Sequence, residues 1–179
     1  DSAAQFQKQG RLAESVRLLE DIIKERKDFG KAYDQLFEIY LSQGLIDDAF
    51  QVLERAFTAN PGNYVIVSGY GIALVKNGMD RKGAEILEKA LGLYDRDATA
   101  WNSLGVAYGK TGDFEKARAA FTKALALAPD DALFNGNFGS YYVTVAMKTK
   151  SPEAVRQSVG YFEKAVAAEL LTKKQFMEG

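Results

Sequence analysis

The chain has 179 residues and a formal net charge of −1, from 23 basic and 24 acidic side chains, with 47% hydrophobic and 26% charged residues. That balance fits one globular domain or one short repeat array, and the near-cancellation of charge excludes a general electrostatic grip on nucleic acid or an anionic membrane. With no Cys and no His, disulfides, thiolate chemistry, Cys/His zinc sites, His general-base catalysis and imidazole pH switching are excluded as well.

The chain opens Asp1-Ser2-Ala3-Ala4 without an initiating Met and without a basic stretch ahead of an apolar run, which reads as a fragment or a processed product rather than a secretory leader. Residues 1–29 read as a truncated unit, with Ala3 and Phe6 in a first helix and Leu12 to Lys27 supplying a second. Residues 30–63 form the next unit, on Leu36, Tyr40, Ala49, Ala56 and Pro61. The most apolar stretch, twelve residues from Tyr64 to Val75, is interrupted by Ser68, Gly69 and Gly71. It is too short to cross a bilayer, which takes about 20 residues, so no membrane insertion is expected. It opens the unit 64–97, where Gly71 and Ala90 keep the pattern. Residues 98–131 give the clearest unit, and 132–171 the last, matching at Phe138, Gly139 and Tyr142. In that last unit the second helix arrives seven residues late, at Ser158, Phe162 and Ala165. Val143 to Lys150 either lengthens the first helix or loops outward, and Ser151-Pro152-Glu153 is a helix start. Residues 172–179 read as a tail or partial capping helix, and Leu170, Leu171, Phe176 and Met177 are the apolar residues at this end of the chain.

These units share one spacing. Gly10, Gly44, Gly78 and Gly112 stand 34 residues apart, and so do Ile22, Ala56, Ala90 and Ala124. Leu19, Leu53, Leu87 and Phe121 make a third column; Tyr40, Leu74, Tyr108 and Tyr142 a fourth. Such a period marks a stacked repeat. Within 98–131, Trp101, Leu104 and Tyr108 lie three and four apart and share one helix face, and Gly105 on that face admits a close neighbour. Gly112 suits a left-handed cap, and Asp113 suits the start of the next helix. Phe114, Ala117, Phe121, Ala124 and Leu125 form the stripe of that second helix, which Pro129 stops. Trp101 is read as core, and its replacement by Ala is expected to cost about 3–5 kcal/mol.

Trp101, Leu104, Gly105, Tyr108, Ala117, Phe121, Ala124 and Pro129 fill the preferred positions of the tetratricopeptide repeat, which the whole chain resembles. The resemblance implies an all-α fold: a right-handed superhelical solenoid of antiparallel helix hairpins, lined inside by the first helix of each pair. It also implies a single array over 1–179. The inward places that packing leaves free are Asp34 and Glu38; Val65, Ser68, Ile72 and Val75; Asn102 and Val106; and Asn137 and Ser140, with Lys76 and Lys110 near the turns. Small aliphatic side chains on a concave face usually mark a contact surface. An Asn amide donates and accepts at once, which suits an extended peptide backbone. Asp34 and Glu38 read as a solvated acidic face. The Lys/Asn/Arg clamp with which some relatives hold C-terminal carboxylates is absent, since Asp34, Ser68, Asn102 and Gly136 fill one set of its places and Glu38, Ile72, Val106 and Ser140 the other. An Asn ladder also fails, because only Asn137 occupies its place.

A binding scaffold for a peptide or helix of a partner protein is therefore the leading expectation. The alternatives are a non-catalytic segment of a larger enzyme or secretion/assembly machine, and an array that self-associates through uncapped ends. A further alternative is a groove filled by the chain's own C-terminal segment. No catalytic residues, metal site, cofactor or nucleic-acid partner are implied, and the compartment stays open between cytoplasm and periplasm.

Overall fold

The computed structural model describes the backbone of residues 2–178 and the side chains of residues 3–173. Ten α-helices and no strand occur among the described residues: α1 (Ser2–Lys8), α2 (Leu12–Glu25), α3 (Gly30–Ser42), α4 (Ile46–Ala59), α5 (Tyr64–Lys76), α6 (Asp80–Leu93), α7 (Ala98–Thr111), α8 (Phe114–Leu127), α9 (Ala132–Thr149) and α10 (Pro152–Glu178). They pair as hairpins, α1 with α2, α3 with α4, α7 with α8 and α9 with α10. This is the all-α repeat fold that the tetratricopeptide resemblance implies.

The turns explain the period. Gly10, Gly44, Gly78 and Gly112 all have positive φ, between 72° and 92°. After each, the next backbone N–H reaches back five residues to a carbonyl at 2.9 Å: Arg11 to Phe6, Leu45 to Tyr40, Met79 to Leu74 and Asp113 to Tyr108. This left-handed closure satisfies carbonyls that the helix end would otherwise orphan, and only glycine adopts it without a Cβ penalty. Asp113 does not cap α8 through its side chain; the backbone closure already fixes the turn. Helix starts elsewhere do use side chains. Asp97 accepts from the N–H of Thr99 and Ala100 at 2.7 and 3.0 Å, and Asp131 from that of Phe134 at 2.9 Å.

The small column sets how closely the two helices of a hairpin approach. A Cβ on Gly105 would stand 2.8 Å from Phe121 Cδ1, so the ring of α8 lies directly on the α7 backbone. At the same place in the 30–63 unit stands Phe37, which instead meets Phe50 edge-on at 5.7 Å between ring centroids.

The chain packs as two compact units, Asp1–Tyr70 and Gly71–Gly179, with the boundary inside α5. The core of the first gathers Leu19, Ile23, Tyr33, Leu36, Val52 and Ala56. That of the second gathers Val75, Leu87, Leu104, Tyr108, Phe121 and Phe138, among others. Trp101 is only half-buried against it, with Nε1 donating to Asp95 O at 2.7 Å. The expected cost of Trp101→Ala therefore falls to the lower part of the buried-aromatic range, about 3 kcal/mol.

The extra residues of the last unit are helical. α9 runs 18 residues against 14 for α7, and ends on Lys150 in the left-handed region at φ 56°. Ser151 Oγ then accepts from Ala154 N–H at 3.3 Å, and α10 continues unbroken to Glu178. No separate tail begins at 172. Phe176 and Met177 lie outside the residues whose side chains are described.

Candidate binding groove

In the first unit, Asp34 and Glu38 are exposed on α3. Crowding by surrounding protein raises the Asp34 carboxyl above the usual carboxylate range, and the Glu38 charge adds to it. Val65 is 72% exposed, while Ser68 is buried.

In the second unit, Ile72 is half-buried against the core and Lys76 is exposed. Val75 corrects the expectation: it is 4% exposed, and its Cγ2 lies 2.6 Å from where a Cβ on Gly83 would stand. The missing side chain at Gly83 lets Val75 pack against α6, so it is core rather than groove.

Four of the expected residues do come together. Val106 and Lys110 from α7, with Asn137 and Ser140 from α9, line one cleft of about 360 Å³. Gly109 opens its middle, since a Cβ there would meet nothing closer than Tyr141 Cδ2 at 3.9 Å. Asn102 is buried beside it, 5% exposed, and its Oδ1 accepts from Asn137 Nδ2 at 3.2 Å. The two amides thus join α7 to α9, and no other hydrogen bond of either side chain occurs among the described residues. Lys110 Nζ sits 3.3 Å from Asp80 Oδ1.

The cleft also holds residues that the pattern did not single out. Thr144 and Lys148 follow Ser140 at intervals of four, so the helical extension of α9 carries the same face onward. Lys148 Nζ lies 4.6 Å from the Phe114 ring centroid, and Tyr141 OH donates to Phe114 O at 3.0 Å. Reading Val143 to Lys150 as helix would have found both residues. Among the described residues none of α10 lines this cleft; that helix packs on α9 instead.

Two profiles of the tetratricopeptide repeat match the chain, over residues 40–107 and 98–131, together just over half of it. The chain belongs to the tetratricopeptide repeat family. Solved structures similar to it include a crystal structure of MamA, 21% identical, covering 97% of this chain and 98% of that one at a TM-score of 0.75. MamA 41-end from Desulfovibrio magneticus RS-1 is 20% identical, with 93% and 90% covered and a TM-score of 0.75. YrrB, a TPR protein with an unusual peptide-binding site, is 21% identical, with 96% and 88% covered and a TM-score of 0.70. At these identities the likeness concerns the fold. No curated protein sequence matches the chain. As a tetratricopeptide array it has the architecture of a protein–protein interaction scaffold. Among the described residues no helix is long and apolar enough to cross a membrane.

Proposed function

We propose that the chain holds a peptide segment of a partner protein in the cleft between α7 and α9. The observation that carries this reading is the grouping of an apolar wall, Val106 and Gly109, with the linked amides of Asn102 and Asn137 and the cations Lys110 and Lys148. Apolar wall gives affinity; a few placed polar groups fix the orientation of a backbone. The paired amides keep Asn137 Oδ1 as an acceptor, and the Asn102 Nδ2 hydrogens with the second hydrogen of Asn137 Nδ2 as donors, for that purpose. Asp34, Glu38 and Val65 of the first unit and Ile72 and Lys76 of the second line no part of this cleft, and Ser68 is buried. YrrB supports it as a structural neighbour with a peptide-binding site.

Selection from a random peptide library on the intact chain tests the proposal. The recovered peptides should bind the unaltered chain in calorimetry and lose binding with Ser140→Leu, whose position is exposed and whose substitution leaves the core alone. Equal binding by that variant and by Val106→Glu would reject the cleft as the site.

Self-association is a second reading, favoured by α10. Val155, Val159, Phe162 and Val166 are exposed at spacings of four, three and four, one continuous helix face. Light scattering that rises with concentration, and falls back with Val159→Asp and Val166→Asp, would support it.

A further inference from the structure

The second unit carries another cleft, on the face of α7 turned away from Val106. Its floor is Trp101, Leu104 and Tyr108, its walls include Leu91 of α6 and Ala119 of α8, and it encloses about 450 Å³. Two residues advance a helix by about 200°, so Leu104 and Val106 point to opposite sides. Small side chains make the space: Gly92, Ala119 and Ala120 stand along its edges.

Two ammonium groups stand at the rim. Lys116 Nζ is 5.1 Å from the Tyr108 ring centroid, over its face. Lys123 is exposed and makes no hydrogen bond or ion pair among the described residues.

The repeat shows why Lys123 is unmatched. Two repeats earlier its column holds Arg55, whose two terminal nitrogens donate to the two oxygens of Glu20 at 2.8 Å each, 35 residues back. The carboxylate 35 residues before Lys123 is Glu88. Glu88 instead accepts a hydrogen bond from Tyr108 OH. Burial and that bond together hold the Tyr108 phenol well above its ordinary pKa, so it stays a donor. A positive charge is thus left beside an aromatic floor with no partner of its own.

We propose that this outer cleft is a second binding site, and that it takes an acidic peptide segment, seating one aromatic or large aliphatic side chain over Trp101 with flanking carboxylates on Lys123 and Lys116. Apolar burial supplies affinity, and Lys116 and Lys123, which outnumber the one lining carboxylate, Glu88, fix register. The site is independent of the inner groove, since the two clefts share no lining residue.

Trp101 is the only Trp in the chain, so its fluorescence reads the site directly. Titration with acetyl-Asp-Glu-Phe-Glu-Asp-amide should give a saturable change. The same peptide with Ala in place of Phe should give none. Lys123→Glu should weaken binding by about fivefold, the scale of one exposed charge pair, and Ala119→Leu, on an exposed position of the wall, should abolish saturation. Lys173→Glu, an equal change of charge on α10, and Ser140→Leu in the inner groove should leave the titration unchanged. Circular dichroism checks that each variant keeps its helices. Should Ala119→Leu lose them, Ala119→Gln takes its place, because the same column carries Gln51. A titration that never saturates, that survives the Ala119 substitution, or that falls as much with Lys173→Glu as with Lys123→Glu overturns the proposal.

Discussion

In the first unit, the outer cleft beside Tyr33 encloses about 720 Å³ and is lined by Lys24, Lys27, Gln51, Glu54 and Arg55. In the second unit, the matching cleft beside Trp101 is smaller, about 450 Å³, and its walls are mostly apolar. Both are cut by the same repeat. They differ in which partner a repeated carboxylate position meets: Glu20 is taken by Arg55, whereas Glu88 is taken by Tyr108. The Arg fork makes two parallel bonds and holds its carboxylate firmly, while Lys offers a single point charge that a nearby phenol displaces. Backbone periodicity therefore fixes where clefts form, and a handful of side chains decides whether the cleft's cation is spent or free.

The largest effect should come from the residue that forms each floor. Tyr33 is 2% exposed, whereas Trp101 is only half-buried. Tyr33→Ala should cost about 4 kcal/mol and Trp101→Ala about 3 kcal/mol, despite the larger ring of Trp; denaturant titration followed by circular dichroism measures both. A larger loss at Trp101 would break the contrast between a filled floor and an open one.

Tyr108→Phe should come next. It removes the donor to Glu88, costing about 1 kcal/mol, and releases that carboxylate to pair with Lys123. Acidic-peptide binding at Trp101 should then fall although the cleft keeps its shape. Unchanged binding would mean that Lys123 is not the group that matters.

Breaking the other bridge is expected to cost less. Arg55 and Glu20 are partly exposed, so Arg55→Ala should cost no more than about 1 kcal/mol. The Arg55 hydrogen bond is the main reason the Glu20 carboxyl lies below its ordinary value of 4.5. A depressed folded pKa contributes stability that is present above 4.5 and lost as pH falls through the folded value. Arg55→Ala should therefore flatten the acid limb of the stability curve, measured by thermal melts below pH 5.

The smallest effect should be Lys123→Arg. With Tyr108 in place, it should change stability by less than about 0.5 kcal/mol. Combined with Tyr108→Phe, it should recover part of the lost stability by rebuilding the bidentate bridge seen at Arg55.

Much of this architecture was legible in the residues. Four glycines at one spacing gave the turns, and Trp101, Leu104 and Tyr108 at helical spacing gave a packed face. Other features depended on neighbours that no periodicity names. α5 is apolar on every side, so its pattern cannot tell Val75 from Ile72; the absence of a side chain at Gly83 decides it. Asp113 looked like a cap, but the backbone closure at Gly112 makes one unnecessary. Val106, Lys110, Asn137 and Ser140, which line one cleft, could be grouped in advance because their columns are regular. Thr144 and Lys148 were not, because the extra residues hid that α9 simply continues. The choice of Glu88 between Tyr108 and Lys123 is a competition between two donors within reach, and composition cannot settle it.

The longer α9 has one further consequence. It exceeds α7 by four residues, or about 6 Å of rise, and the surplus carries Lys148 past the last turn of its neighbour. The channel beside them is therefore lopsided, higher and more cationic toward one mouth. A peptide held there as proposed would find its head and its tail in different surroundings, and the length of a single helix would then set its direction.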